Sequence, residues 1–176
     1  MFVVRYEYAD DRRPAPAPPT GPTASLALRS LDEPETLVRF DTFDLESAAR
    51  AAAGAGYRLL REVKGAGSAD PNFAVYAEWQ VADPARAGAF EERARHVFEL
   101  RRQHLVSFAF DWLLKRLDRE GHYLVLGLYG DEEGARRLCR EHPDIRRYLQ
   151  AHPASDYAAT DLSGLRVFRV ERRALQ

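Results

Sequence analysis

The chain has 176 residues, 45% of them hydrophobic and 30% charged, with 26 basic against 27 acidic side chains and a formal net charge of -1. So balanced a charge gives no general pull toward nucleic acid or an anionic membrane, and no apolar run approaches the roughly 20 residues that span a bilayer. The single cysteine, Cys139, excludes an internal disulfide and a cysteine-based metal site.

In chain order, Phe2 to Tyr8 is rich in β-branched and aromatic residues and predicts a strand. That start lacks the basic segment and apolar stretch of a secretory leader, so a cytoplasmic protein is expected. Residues 12–22 hold half of the ten prolines, a density that forbids helix and sheet ladders and predicts a loop. Ser25–Leu31 and Thr36–Phe43 predict two strands joined by a turn. Glu46–Ala53 predicts a short helix with Asp44 as N-cap, ended by Gly54 and Gly56. A strand over Tyr57–Val63 closes this part, and the stretch from Lys64 to Pro71 is the natural boundary.

The second part opens with a strand over Phe73–Val81. Asp83-Pro84 then starts a helix, with aspartate as cap and proline in the first turn. This helix is expected to reach Gln103, because Phe90, Ala94, Val97 and Phe98 recur at helical spacing. Strands follow over Leu105–Leu117 and His122–Tyr129. Asp131 caps a helix over Glu132–Glu141, which Pro143 breaks before a second piece over Asp144–Ala151. Leu165–Glu171 is the last strand.

The two parts match in order. Leu31 to Arg50 lies over Leu117 to Arg136 without a gap, with identities at Leu31/Leu117, Asp32/Asp118, Glu46/Glu132, Ala49/Ala135 and Arg50/Arg136. The opening strands align as Phe2/Phe73, Val4/Val75 and Glu7/Glu78, and the closing strands as Gly56-Tyr57-Arg58 on Gly164-Leu165-Arg166. The expected architecture is therefore α+β. Two ferredoxin-like β-α-β-β-α-β repeats, residues 1–68 and 69–176, form a dimeric-type α/β barrel. The proline segment stands where the first repeat's first helix should be. One sheet face of that repeat is expected to need cover from the second repeat or another subunit, which points to a homodimer.

The second repeat resembles the antibiotic biosynthesis monooxygenase family. The resemblance is carried by Arg101-Arg102-Gln103-His104, Leu105-Val106-Ser107-Phe108, Leu113 to Asp118, Tyr123-Leu124-Val125-Leu126, Asp131 to Ala135 and His142 to Leu149. It covers about residues 72 to 173. It implies a barrel of two paired sheets with a pocket between each sheet and its helices. Some members of that family oxidise anthrones or quinols with dioxygen and no cofactor, others degrade haem, and many have no known activity. The haem-degrading members use an asparagine on the first strand, and a tryptophan and a histidine on the second helix. Here the first strand has no asparagine, Leu138 holds the tryptophan position, and the histidine position falls near Tyr148 or Leu149, with His142 and His152 close by. Haem is not expected.

Two acids, Glu78 and Asp111, lie inside strands, where acids are depleted. A buried one has a raised pKa and can take a proton from a phenol or an activated C–H group. The plainer alternative is that each pairs with an arginine, such as Arg166 or Arg169. Alternation puts Tyr76, Glu78 and Gln80 on one face of the first strand, and Val75, Ala77 and Trp79 on the other. On the next strand it puts Ser107, Ala109 and Asp111 opposite Phe108, Phe110 and Trp112. Mid-helix His96 is a proton-shuttle candidate, and Tyr76, Trp79, Trp112 and Tyr129 are candidates to line an aromatic cavity. No histidine pair has metal-like spacing, so neither metal nor cofactor is expected.

Two readings follow. One is a cofactor-independent monooxygenase acting on a small aromatic or quinol substrate, with Glu78 or Asp111 as base. The other is a non-catalytic small-ligand-binding or assembly protein that keeps the fold. An open aromatic pocket with a desolvated acid favours the first. A filled core with both acids ion-paired favours the second.

Overall fold

The structure, a computed structural model, describes residues 1–9, 22–67, 70–153, 155 and 166–171. Nearly all of the proline-rich stretch, and with it the expected loss of a helix, lies outside the described residues, as does the 68/69 boundary.

Eight strands form: β1 (Phe2–Ala9), β2 (Ala24–Ser30), β3 (Thr36–Phe43), β4 (Ala55–Lys64), β5 (Phe73–Gln80), β6 (Phe108–Arg116), β7 (His122–Tyr129) and β8 (Arg166–Glu171). Helix α1 covers Glu46–Ala51 and α2 covers Ala87–His104. A π turn over Gly134–Leu138 leads into α3 (Cys139–Glu141) and α4 (Pro143–Ala151). No described helix is long and apolar enough to cross a membrane.

The strands close into one barrel within this single chain, in the order β1-β3-β2-β8-β5-β7-β6-β4, with every pairing antiparallel. Taken by halves the order is β4-β1-β3-β2 and β8-β5-β7-β6, the same pattern twice. The second strand of each half pairs with the fourth strand of the other, β2 with β8 and β6 with β4. Among the described strands no sheet edge is left open.

The barrel interior takes side chains from every strand, among them Val3, Leu28, Val38, Phe40, Tyr57, Tyr76, Leu114, Leu124, Leu126, Leu128 and Phe168. Eight strands enclose just enough space for side chains to fill. A second core lies outside the barrel, between the second half's strands and α2, α3 and α4. It holds Val75, Phe90, Phe98, Phe108, Leu113, Tyr123, Tyr129, Cys139 and Ile145. Strand β7 shows the division, with Leu124, Leu126 and Leu128 inward and Tyr123 and Tyr129 outward.

Two local expectations are corrected. Asp44 does not cap α1; Leu45 holds that position without a side-chain bond. The strand expected from Leu105 begins at Phe108, because Leu105 is the C-cap of α2 and its N–H still bonds the Arg101 carbonyl at 2.9 Å. The outer face of β2 and β3 is polar in part. It carries Arg29, Arg39 and Asp41, with Ser25 donating to Asp41 at 2.6 Å and Arg39 paired with Asp41.

By contrast Asp83 caps as expected, its carboxylate accepting the Ala85 N–H at 3.0 Å with Pro84 in the first turn. The β6–β7 turn depends on Gly121, whose φ of 72° is the left-handed region and whose Cβ position lies 2.2 Å from the Val81 carbonyl oxygen. Gly121→Ala is expected to destabilise the fold by at least about 1–2 kcal/mol from φ alone. Urea unfolding checks this, and an unchanged midpoint would refute it.

Candidate functional site

The expected alternation on β5 holds, so Tyr76 faces the barrel interior while Trp79 packs into the helix layer. On β6 it fails. The β6–β7 register shifts between Phe108 and Phe110, and a bulge of this kind re-aims the side chains beyond it. Ala109, Phe110 and Trp112 pack with the barrel interior, whereas Asp111 faces α2 with Phe108 and Leu113. Glu78 and Asp111 therefore lie on opposite sides of the barrel wall, and no single chamber holds both. The four aromatics divide likewise, Tyr76 and Trp112 inward and Trp79 and Tyr129 outward.

Glu78 sits at one mouth of the barrel. Its Oε1 accepts the Tyr57 hydroxyl at 2.9 Å and meets an Arg5 guanidinium nitrogen at 3.0 Å. The Glu78 side chain is 47% exposed while that of Arg5 is 14% exposed, so the acid reaches solvent and the base lines the wall. The Arg5 guanidinium also lies 5.6 Å over the Tyr76 ring, and Arg116 lies 5.7 Å over Tyr57, cation–π spacings that hold both cations at the mouth. Burial disfavours the Arg5 charge, but Tyr57 and Glu78 more than offset it and hold its pKa above the ordinary value. Burial pushes both Tyr57 and Tyr76 upward, so each phenol stays protonated at neutral pH. Sharing Arg5 and Arg116 with this cluster is a cleft of about 450 Å³, lined also by Tyr6, Glu7, Ala53, Gly54 and Ala55. Such a volume suits a small organic molecule, and two guanidinium groups favour one that is or becomes anionic.

Asp111 occupies the helix layer and is 0% exposed. Arg101, reaching down from α2, donates to its Oδ2 at 3.0 Å and to the Cys139 carbonyl at 2.9 Å. That carbonyl belongs to the last turn of α3, where helix carbonyls lack intrahelical partners, so one guanidinium ties α2, β6 and α3 together. The other oxygen, Oδ1, and the Tyr129 hydroxyl have no hydrogen-bond partner among the described residues. Both lie at Gly127, whose Cβ position would fall 2.4 Å from Oδ1 and 3.1 Å from the hydroxyl, so glycine is what leaves room for them. Burial raises the Asp111 carboxyl, against the pull of Arg101, while Arg101 is raised by Asp111 despite its own burial. With Asp111 fully removed from water, the carboxylate is the costly member of the pair. Around the pair, the space that the resemblance assigned to a pocket is occupied by Phe90, Phe98, Phe108, Tyr123 and Tyr129.

His96 lies exposed on α2, its ring stacked 4.2 Å from Tyr148 of α4. Trp112 donates to Glu62 at 3.1 Å. The arginines that pair with the two acids are Arg5 and Arg101, rather than Arg166, which pairs with Glu7, or Arg169. Arg101 left a signal in the sequence, since it extends the buried stripe Phe90, Ala94, Val97 and Phe98 by a further turn and so had to be paired. Arg5 left a weaker one, as a charge on the same strand face as Val3.

No protein-family model and no curated protein matches the chain. Solved structures do. An anthrone oxidase-like protein superposes with a TM-score of 0.67 at 8% identity, over 97% of this chain and 91% of that one. A ferredoxin-fold protein of Listeria monocytogenes related to antibiotic biosynthesis monooxygenases gives 0.58 at 11% identity, over 98% and 95%. A haem-degrading enzyme of the same organism gives 0.56 at 11% identity, over 97% and 100%. At such identities these likenesses establish the fold, which is the α+β, ferredoxin-like fold that the sequence resemblance implied. Several of the neighbours are named as monooxygenases or as monooxygenase-like or monooxygenase-related proteins.

Proposed function

We propose that the protein is a cofactor-independent monooxygenase of the antibiotic-biosynthesis type, with a small aromatic or quinol substrate bound at the barrel mouth beside Arg5 and Glu78. The observation that carries this reading is the cluster of Glu78, Arg5, Tyr57 and Tyr76 at the mouth, next to a cleft of about 450 Å³ whose lining shares Arg5 and Arg116 with it. Both protein bonds to Glu78 go to Oε1, which leaves Oε2 to accept a proton from substrate. Arg5 and Arg116 then stabilise the resulting phenolate or carbanion, the electrostatic contribution that is most effective when donors are held in place before the reaction. The anion passes an electron to dioxygen, and the two radicals combine to form a carbon–oxygen bond. A ring methylene is thereby converted to a carbonyl, and the second oxygen atom leaves as water. The substrate supplies all four electrons, so no cofactor or reductant enters. The resemblance to anthrone oxidase-like and monooxygenase-related structures supports the reaction class, and the mouth geometry supports the place.

The same reading takes residues 1–68 and 69–176 as two copies of one unit, in keeping with the repeated strand order. With the barrel closed inside one chain, a homodimer would have to rest on some surface other than an open sheet edge.

A second reading, a non-catalytic ligand-binding or assembly protein, is favoured by a different observation: among the described residues the helix-side layer is packed with apolar and aromatic side chains, and both acids are ion-paired. Oxygen uptake decides between them. Purified protein, treated to remove metals, is mixed with anthrones and naphthoquinols. The enzyme reading expects catalytic oxygen consumption and a product that has gained one oxygen and lost two hydrogens. Saturable binding with no uptake above the uncatalysed rate would leave the second reading.

A further inference from the structure

Four of the five histidines belong to one region of the surface, where α2 meets α3 and α4. There His104 and His142 stack ring on ring at 4.7 Å, and His96, Tyr148 and His152 continue the cluster at 4.2 and 4.5 Å. Three residues converge further. His104 Nε2 lies 3.6 Å, and His142 Nδ1 4.0 Å, from the same oxygen of Asp144, Oδ2. The three ligand atoms are all within 4.8 Å of one another.

We propose that His104, His142 and Asp144 form a binding site for a divalent first-row transition ion such as zinc, cobalt or nickel. The separations are too long for hydrogen bonds, yet they are close to those of atoms sharing an ion. Bonds of about 2.0–2.1 Å in tetrahedral geometry place ligand atoms about 3.3 Å apart, which is a rotamer adjustment away. The nitrogen that faces Asp144, His142 Nδ1, is shielded from solvent and has no hydrogen-bond partner among the described residues. This unpartnered ring nitrogen, 4.0 Å from a carboxylate oxygen, is available as a ligand when it is unprotonated. Two imidazoles and one carboxylate are a donor set for zinc and its neighbours rather than for magnesium or calcium.

The backbone around the site holds these groups in place. His104 is in the last turn of α2, where the helix dipole favours a cation. His142 is at once the C-cap of α3 and the N-cap of α4, with φ -52° and ψ 134°, and Pro143 fixes the turn that sets Asp144 in the first turn of α4. Arg147 meets Asp144 through Oδ1 at 3.2 Å, which leaves Oδ2 facing the histidines. Three protein ligands leave a fourth position free, as in catalytic rather than structural zinc sites. Beside it is a cleft of about 540 Å³ lined by His96, Leu100, His104, Asp144, Arg147 and Tyr148. The free position would thus be open to water or a small ligand.

The test is a cobalt titration of tag-free, metal-stripped protein, followed by visible absorption and by calorimetry. Ligand-field bands that saturate at one equivalent are expected. His104→Ala and His142→Ala should each weaken binding by more than the roughly 10-fold that even outer-shell changes cost. His122→Ala, on β7 and outside the cluster, should bind as wild type does. Circular dichroism checks that the variants fold, which these surface positions should allow. The proposal is overturned if wild type shows no saturable binding, or if both histidine variants bind cobalt as wild type does. The readout is independent of oxygen uptake, so it stands or falls apart from the proposed reaction.

Discussion

Glu78→Gln is expected to lower quinol-dependent oxygen uptake by about 10²- to 10⁴-fold, the range that a positioned general base contributes. The substitution keeps the side chain's size and a carbonyl oxygen that can still accept the Tyr57 hydroxyl, which now donates to Glu78 at 2.9 Å. What it removes is the proton acceptor and the counter-charge of Arg5. Stability should change by no more than about 1 kcal/mol, because a pair that is half exposed on the acid side is screened by water. The informative comparison is therefore rate against unfolding midpoint: the rate collapses while the midpoint holds. An E78Q protein with uptake within a few-fold of wild type would remove Glu78 from the mechanism.

The second large effect is on stability. Asp111→Ala is expected to cost about 3–5 kcal/mol, because it leaves the Arg101 guanidinium buried and unmatched. Arg101 would retain only the Cys139 carbonyl, at 2.9 Å, while its charge stayed out of water. The ion pair itself adds little net stability, since burying the carboxylate is costly. Removing both charges should consequently be far milder than removing one. The double variant Asp111→Leu/Arg101→Met is expected to lie within about 1–2 kcal/mol of wild type, or above it. Urea unfolding of the two single variants and the double tests this as a cycle. If D111A and the double variant were equally destabilised, the loss would come from packing and not from an orphaned charge.

These predictions separate two acids that the sequence had grouped. Both read as charged residues inside strands, and alternation alone placed Asp111 with Ala109. The register shift between Phe108 and Phe110 sends it instead to the helix side, where a glycine on the facing strand leaves room for it. A bulge of one residue carries no sequence signature strong enough to outweigh a period of two. The arginine partners were hidden for a related reason. Arg5 is 73 positions before Glu78, and only barrel closure, with β1 beside β4 and β4 beside β6, brings it across the mouth.

The sequence by itself determined the order and type of the elements, because these rest on local signals: period-2 and helical patterning, Asp83-Pro84 at a helix start, Pro143 at a helix break. It also carried the match of Leu31 to Arg50 with Leu117 to Arg136. Only the tertiary structure decided that the barrel closes within one chain, since strand β2 chooses β8, and β4 chooses β6, through long-range pairing that no local pattern encodes. The same is true of His104, His142 and Asp144. Their spacing along the chain matches no metal motif, and packing α2 against α4 is what sets two imidazole nitrogens around one carboxylate oxygen.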